Sequence, residues 1–117
     1  MKTAAEMIAQ AKSQITEVTP KQVMEMQERG EPVTLLDCRD LQEVNLGRIP
    51  TAAHISRGNL ETKVEALIPR DAHLVIYCAS GNRSAFAAVT LKEMGYENVA
   101  SMSGGFRGWV EAGGEVD

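Results

Sequence analysis

The chain has 117 residues, a length that suits one domain and leaves little room for two. Its net charge of −4 includes no block of like charges, and no apolar run approaches the roughly 20 residues of a membrane helix, so neither nucleic-acid nor membrane binding is expected. Two cysteines are too few for a disulfide scaffold, and the polar N-terminus lacks a signal-peptide core, which together predict a cytoplasmic protein with reduced thiols.

Proline, glycine and capping residues predict helices that alternate with strands. A helix over 3–13 precedes a short strand at 15–18, and Thr19 with Pro20 starts a second helix that ends at Gly30. The later predicted elements are a strand over 33–38, a helix over 40–47 capped by Asp40, a weak strand over 52–56, a helix over 59–67 capped by Asn59, a strand over 73–78, a helix over 82–95, a strand over 97–102 and a closing helix from Phe106. This alternation predicts an α/β fold whose parallel sheet is covered on both faces.

The run over 73–78 is the clearest strand, because it is continuous in apolar and β-branched residues. Ligands of parallel sheets lie beyond the carboxyl ends of the strands, which makes Cys78 a candidate catalytic residue. A helix N-terminus after the loop favours a thiolate and binds anions. Gly81 permits a left-handed turn there, and Arg83 adds a positive charge that suits an oxyanion. The alternative is that Cys78 is a small buried apolar residue.

Cys78, Gly81 and Arg83 match the C-x-x-G-x-R active loop of rhodanese-like sulfurtransferases. Two further segments resemble the family and occur in the right order. The first is Leu36-Asp37-Cys38-Arg39 with Glu43 and Gly47-Arg48-Ile49-Pro50, and the second is Gly104-Gly105-Phe106 with Trp109 and Gly113. Together with the loop, the resemblance covers roughly residues 15–117. The resemblance implies a rhodanese-like fold with a central parallel five-stranded sheet and helices on both faces. It also implies a single rhodanese domain over 1–117, in which 1–14 form an N-terminal helical extension.

The resemblance further implies that Cys78 takes a sulfane sulfur from thiosulfate or a persulfide, holds it as a persulfide and passes it to cyanide or a thiol. Neither a cofactor nor a metal is expected. The residues that the resemblance assigns to substrate binding are Ala79, Ser80, Gly81, Asn82, Arg83 and Ser84 of the loop, together with Arg57. Asp37, Arg39 and Glu43 are expected to support the loop, with Arg39 and Glu43 forming an ion pair.

Cys38 stands where the family usually has valine. One interpretation is a small core residue in place of valine. The other is a second redox thiol that resolves a persulfide or disulfide on Cys78, since both cysteines lie at candidate strand ends on the same edge of the sheet.

Two other functions are weighed against sulfur transfer. A phosphatase or arsenate reductase of the related cysteine-loop type needs its arginine six positions after the cysteine, whereas Arg83 is five after Cys78, which leaves a smaller cradle. A non-catalytic binding module often lacks the cysteine, which is present here. A sulfur relay between protein partners, with a desulfurase as donor, stays open.

Overall fold

Five strands form one parallel sheet in the computed structural model, which describes residues 1–117. The strands are β1 (Thr16–Val18), β2 (Thr34–Asp37), β3 (Ala53–His54), β4 (Leu74–Tyr77) and β5 (Val99–Met102). Their order across the sheet is β1-β5-β4-β2-β3, with every neighbouring pair parallel. The predicted α/β class with a central five-stranded parallel sheet is therefore confirmed.

Six α-helices and one 3-10 turn accompany the strands. The helices are α1 (Ala4–Ser13), α2 (Pro20–Glu28), α3 (Leu41–Asn45), α4 (Leu60–Leu67), α5 (Asn82–Glu93) and α6 (Gly105–Glu111). Helix α1 precedes β1, α6 follows β5, and the others connect successive strands. Thr19 caps α2 as predicted, with Gln22 completing a capping box. Asn59 precedes α4 as predicted, but its side chain makes no capping bond, because the chain enters α4 from a 3-10 turn over Arg57–Asn59. None of these helices is long and apolar enough to cross a membrane.

Strand β4 is buried on both faces, which explains its uninterrupted apolar sequence. Leu74 and Ile76 point into a core with α4 and α5, against which α1 also packs. Val75 and Tyr77 point into the opposite core, to which α2 and α6 contribute. Helices thus cover both faces of the sheet, as the alternating sequence predicts.

The carboxyl ends of β2 and β4 lie side by side at the centre of the sheet, where Asp37 pairs in register with Tyr77. The chain leaves β2 through α3 toward β3 on one side, and leaves β4 through α5 toward β5 on the other. Connections that diverge in this way open a crevice above the strand ends, where ligands of open α/β sheets bind. Cys38 and Cys78 are the first residues beyond these two strands.

Candidate active site

Cys78 is fully buried, and its sulfur is the meeting point of several hydrogen-bond donors. The backbone N–H of Gly81 donates to the sulfur at 3.1 Å, and that of Ser84 at 3.3 Å. The Ser84 hydroxyl lies 3.5 Å from the same atom and shares a 2.8 Å hydrogen bond with the hydroxyl of Ser101. Because these dipoles direct positive charge at the sulfur from the start of α5, they stabilise a thiolate over a thiol.

The turn that directs these N–H groups depends on Gly81. Its φ of +100° lies in the left-handed region predicted for it, immediately before α5 begins at Asn82. A Cβ atom at this position would stand 3.2 Å from the backbone nitrogen of Gly104. The loop therefore requires glycine here both for its conformation and for its close approach to the segment before α6.

A hydrogen bond from the Cys38 thiol does most to lower the pKa of Cys78. Burial opposes the shift, but the hydrogen bonds from Ser84 and Gly81 add to it and bring the pKa to about 4. The same contact, together with burial, raises the pKa of Cys38 far above its usual range. Near neutral pH the pair therefore holds a thiolate at Cys78 and a thiol at Cys38.

Arg83 forms a bidentate ion pair with Glu43, with both N–O distances at 2.9 Å. The prediction that Arg39 pairs with Glu43 is therefore wrong. Glu43 lies in the first turn of α3 and also accepts the N–H of Asp40, so this carboxylate joins α3 to the start of α5. The Arg83 guanidinium lowers the pKa of Glu43 to about 2, which keeps the pair ionised at every physiological pH.

Arg39 pairs instead with Asp37, and both side chains are almost fully buried. The guanidinium donates to both carboxylate oxygens, with a shortest distance of 2.7 Å, and to the carbonyl oxygen of Gly47 at 2.8 Å. It also lies 4.3 Å from the centre of the Phe106 ring. The sequence separation of Arg39 and Glu43 resembles a helical pair, but Arg39 precedes α3 and its side chain faces the interior.

The Arg57 side chain has its hydrogen-bond partners outside the loop. Its guanidinium donates to Glu61 and, at 3.1 Å, to the hydroxyl of Thr90. Thr90 is six residues beyond Ser84 on α5, which corresponds to about 9 Å along the helix axis. The Arg57 guanidinium thus has its partners outside the loop, while the Arg57 backbone N–H donates to the carbonyl oxygen of Cys38 at 3.1 Å, and the role of Arg57 as a substrate-side cation stays a prediction.

The remaining loop residues surround the buried sulfur without adding charge. Ala79 and Asn82 are half-buried, and Ser80 is exposed. Arg83 is the only charged residue between Cys78 and Ser84, and its charge is compensated by Glu43. The structure contains no group of three or more His, Cys, Asp or Glu side chains placed to bind a metal ion.

Gly105 and Ser101 contribute to the site in ways that the sequence interpretation missed. A Cβ atom on Gly105 would stand 2.4 Å from the carbonyl oxygen of Cys78, so the start of α6 packs directly on the backbone behind the sulfur. The N–H of Phe106 donates to that carbonyl at 2.7 Å. The Gly104-Gly105 pair carries part of the family resemblance, but it does not by itself show which backbone it packs against. For Ser101 the available signal was a hydroxyl inside the otherwise apolar strand β5.

This fold and this site agree with the comparison with known families. The sequence matches the family model described as "Rhodanese-like domain" over residues 19–112, and the chain belongs to that family. The thiosulfate sulfurtransferase GlpE of Haemophilus influenzae is 36% identical over 101 residues, which cover 86% of this chain and 93% of that protein. The putative sulfur carrier protein YrkF of Bacillus subtilis is 32% identical over 98 residues and 84% of this chain, which spans about half (52%) of that protein's length.

A solved structure from Rhodopseudomonas palustris, described as a protein of unknown function and possible tyrosine phosphatase, has a TM-score of 0.90 with this chain at 33% identity. The match covers 100% of this chain and 96% of that one. It therefore includes α1, which lies outside the residues matched by the family model.

Proposed function

We propose that the chain is a rhodanese-type sulfurtransferase that moves a sulfane sulfur from a donor such as thiosulfate to cyanide or a thiol through a persulfide on Cys78. The convergence of two backbone N–H groups on the Cys78 sulfur at the start of α5 is the observation that carries the proposal. The sulfurtransferase relatives support the same class. The proposal treats residues 1–117 as one domain that holds the whole reaction.

The chemistry follows from the low pKa of Cys78. Its thiolate attacks the outer sulfur of thiosulfate, the S–S bond of the donor breaks, and sulfite leaves with the electron pair. The acceptor then attacks the outer sulfur of the persulfide, and the Cys78 thiolate leaves. A stabilised thiolate is a good leaving group, so the donors from Gly81 and Ser84 assist both steps.

The charge around the loop bears on the choice of donor. Thiosulfate is a dianion, and Arg83 is the only cation of the loop. Because Glu43 already compensates that cation through two 2.9 Å contacts, we expect thiosulfate to bind weakly. A persulfide, which carries less charge, suits this site better as the physiological donor.

Phosphoryl transfer is the second candidate, because the Rhodopseudomonas palustris relative is described as a possible tyrosine phosphatase. Two features of this chain count against it. The loop from Cys78 to Arg83 is one residue shorter than the phosphatase type, and the Arg83 guanidinium faces Glu43 and not the sulfur. A sulfur relay, consistent with the sulfur carrier relative, uses the same persulfide and differs only in the identity of its partners.

Mass spectrometry after incubation with thiosulfate tests the proposal. The expected result is a gain of about 32 Da, one sulfur atom, on the peptide that carries Cys78. Uptake and thiocyanate formation from cyanide are expected to vanish in Cys78→Ser, while Cys38→Ser still takes up sulfur. Release of phosphate from an aryl phosphate without sulfur uptake would instead favour the phosphatase.

A further inference from the structure

Cys38 and Cys78 occupy equivalent positions on neighbouring strands. They follow directly after Asp37 and Tyr77, which are in register, and the N–H of Cys38 donates to the carbonyl of Tyr77 at 2.9 Å. Neighbouring strands are about 4.8 Å apart, which lies within the Cα separation of about 4.4–6.8 Å that a disulfide requires. The backbone thus places the two cysteines at a distance that a disulfide can bridge.

Their side chains also point the same way. Both belong to the core that contains Leu36 and Ile76, on the face of the sheet that α4 and α5 cover. Cys38 is fully buried, and the N–H of Arg57 holds its carbonyl oxygen at 3.1 Å. A sulfur bound at Cys78 would lie next to Cys38 in the same core.

We propose that Cys38 is a resolving thiol, which attacks the persulfide on Cys78, releases hydrogen sulfide and leaves a Cys38–Cys78 disulfide. The proposal rests on the proposed function, because it requires the persulfide. A bond forms between the two cysteine sulfurs, and the bond from the Cys78 sulfur to the outer sulfur breaks. The outer sulfur takes the electron pair and the Cys38 proton and leaves as HS⁻, so the sulfane sulfur is reduced while Cys38 is oxidised.

Formation of the persulfide itself prepares this step. In the resting protein the Cys78 thiolate is the main reason that the pKa of Cys38 is raised, so Cys38 keeps its proton and does not react. In the persulfide the Cys78 sulfur is covalently bonded and the negative charge lies on the outer sulfur. Cys38 then loses the anion that held its proton, and its immediate proximity to the target sulfur favours attack.

The resulting activity differs from sulfur transfer to an external acceptor. A dithiol reductant, such as a reduced oxidoreductase with two cysteines, must reopen the disulfide before the next turnover. The net reaction converts thiosulfate and the dithiol into sulfite, sulfide and the oxidised dithiol. External acceptors compete with Cys38 for the same persulfide, so sulfide release is greatest when such acceptors are scarce.

An anaerobic single-turnover experiment tests the proposal. The reduced protein is incubated with thiosulfate, freed of excess donor, and followed by intact mass and by sulfide assay without added thiol. The wild-type species at about +32 Da is expected to convert into one about 2 Da lighter than the reduced protein, with one sulfide released per chain. The conversion should be first order and independent of protein concentration, because the attack is intramolecular.

Cys38→Val, which places the family's usual residue in the core, is the matched control, with Cys38→Ala as a second variant if valine impairs folding. Both are expected to keep the added sulfur. A wild-type persulfide that is as stable as that of Cys38→Val, with Cys38 still free for alkylation after unfolding, would refute the resolving role and leave the proposed function intact. Absence of both sulfur uptake and sulfide release in all of these proteins would refute the proposed function itself.

Discussion

The two cysteines of this chain have equivalent positions and opposite acid–base behaviour. Each is fully buried and follows the last residue of a central strand, yet the pKa of Cys78 is lowered to about 4 and that of Cys38 is raised. The difference lies in what comes next along the chain. The loop after Cys78 turns at Gly81 into the N-terminus of α5, whereas Cys38 is followed by Arg39, which forms an ion pair with Asp37.

Position at a strand end is therefore not sufficient to activate a cysteine. The donors that follow Cys78 decide which sulfur ionises. The Cys38 thiol stays protonated and then donates a hydrogen bond to the Cys78 thiolate. The two sulfurs behave as one unit, in which the loss of either changes the other.

Removal of the Cys78 thiolate is expected to have the largest effect on activity. We expect Cys78→Ser to lower thiocyanate formation more than about 1,000-fold, because no persulfide can form on a hydroxyl. Thiocyanate assays with thiosulfate and cyanide measure the loss. Substantial turnover in Cys78→Ser would transfer the reaction to Cys38 and contradict the assignment.

Gly105→Ala tests the backbone support behind Cys78. The new Cβ atom would meet the Cys78 carbonyl oxygen at 2.4 Å, and the φ of +58° is unfavourable for alanine, so we expect a loss of about 3 kcal/mol in the free energy of unfolding. Denaturant unfolding measures it. Gly58→Ala is the matched control, because nothing lies within 4 Å of its Cβ position and its φ is not positive. Equal stabilities of the two variants would contradict the close packing of α6.

Cys38→Val separates the contribution of Cys38 from that of the loop. Loss of a hydrogen bond to an anion costs about 1.5–3 kcal/mol, so the pKa of Cys78 should rise and its thiolate absorbance at pH 5 should fall about two- to fifteenfold. The N–H donors of Gly81 and Ser84 remain, which keeps the pKa below that of a free cysteine. An unchanged titration would mean that the loop alone sets the pKa.

Glu43→Gln has the smallest expected effect. Removal of the carboxylate frees the charge of Arg83 for an anionic donor, and we expect the KM for thiosulfate to fall about two- to fivefold, since both partners are partly exposed and screened. Steady-state kinetics measure the change. Glu61→Gln, which removes the partner of Arg57 away from the loop, should leave this KM unaltered. A raised KM in Glu43→Gln would indicate that the ion pair orders the loop for donor binding.

Local signals were sufficient to predict an α/β fold with a covered parallel sheet and the position of Cys78, whereas the five-stranded rhodanese-like sheet came from the family resemblance. Thr19 and Pro20 mark the start of α2, the apolar run of β4 marks the central strand, and Gly81 marks the turn that follows it. These features depend on neighbouring residues and on repeating side-chain direction, which a sequence displays directly.

The ion pairs could not be predicted in the same way, because they join residues that are distant along the chain. Glu43 and Arg83 are forty residues apart and meet only when α3 and α5 start beside the same strand ends. The position of Arg57 likewise follows from a short 3-10 turn that carries no clear sequence signal. The local spacing predicted that Arg39 pairs with Glu43, four residues away, whereas in the folded chain Arg39 pairs with Asp37 and Glu43 pairs with Arg83.

A pH titration of thiolate absorbance in the wild-type protein, with the double variant Cys38→Ala and Cys78→Ser as the blank for tyrosine, tests the central claim most directly. The thiolate fraction of a group with a lowered pKa falls as the pH drops through that pKa, so one thiolate should be lost with a midpoint near pH 4. Cys38 should remain protonated well above pH 9, the range in which an ordinary thiol ionises. A single midpoint near the ordinary value of about 8.5 for both cysteines would contradict the account.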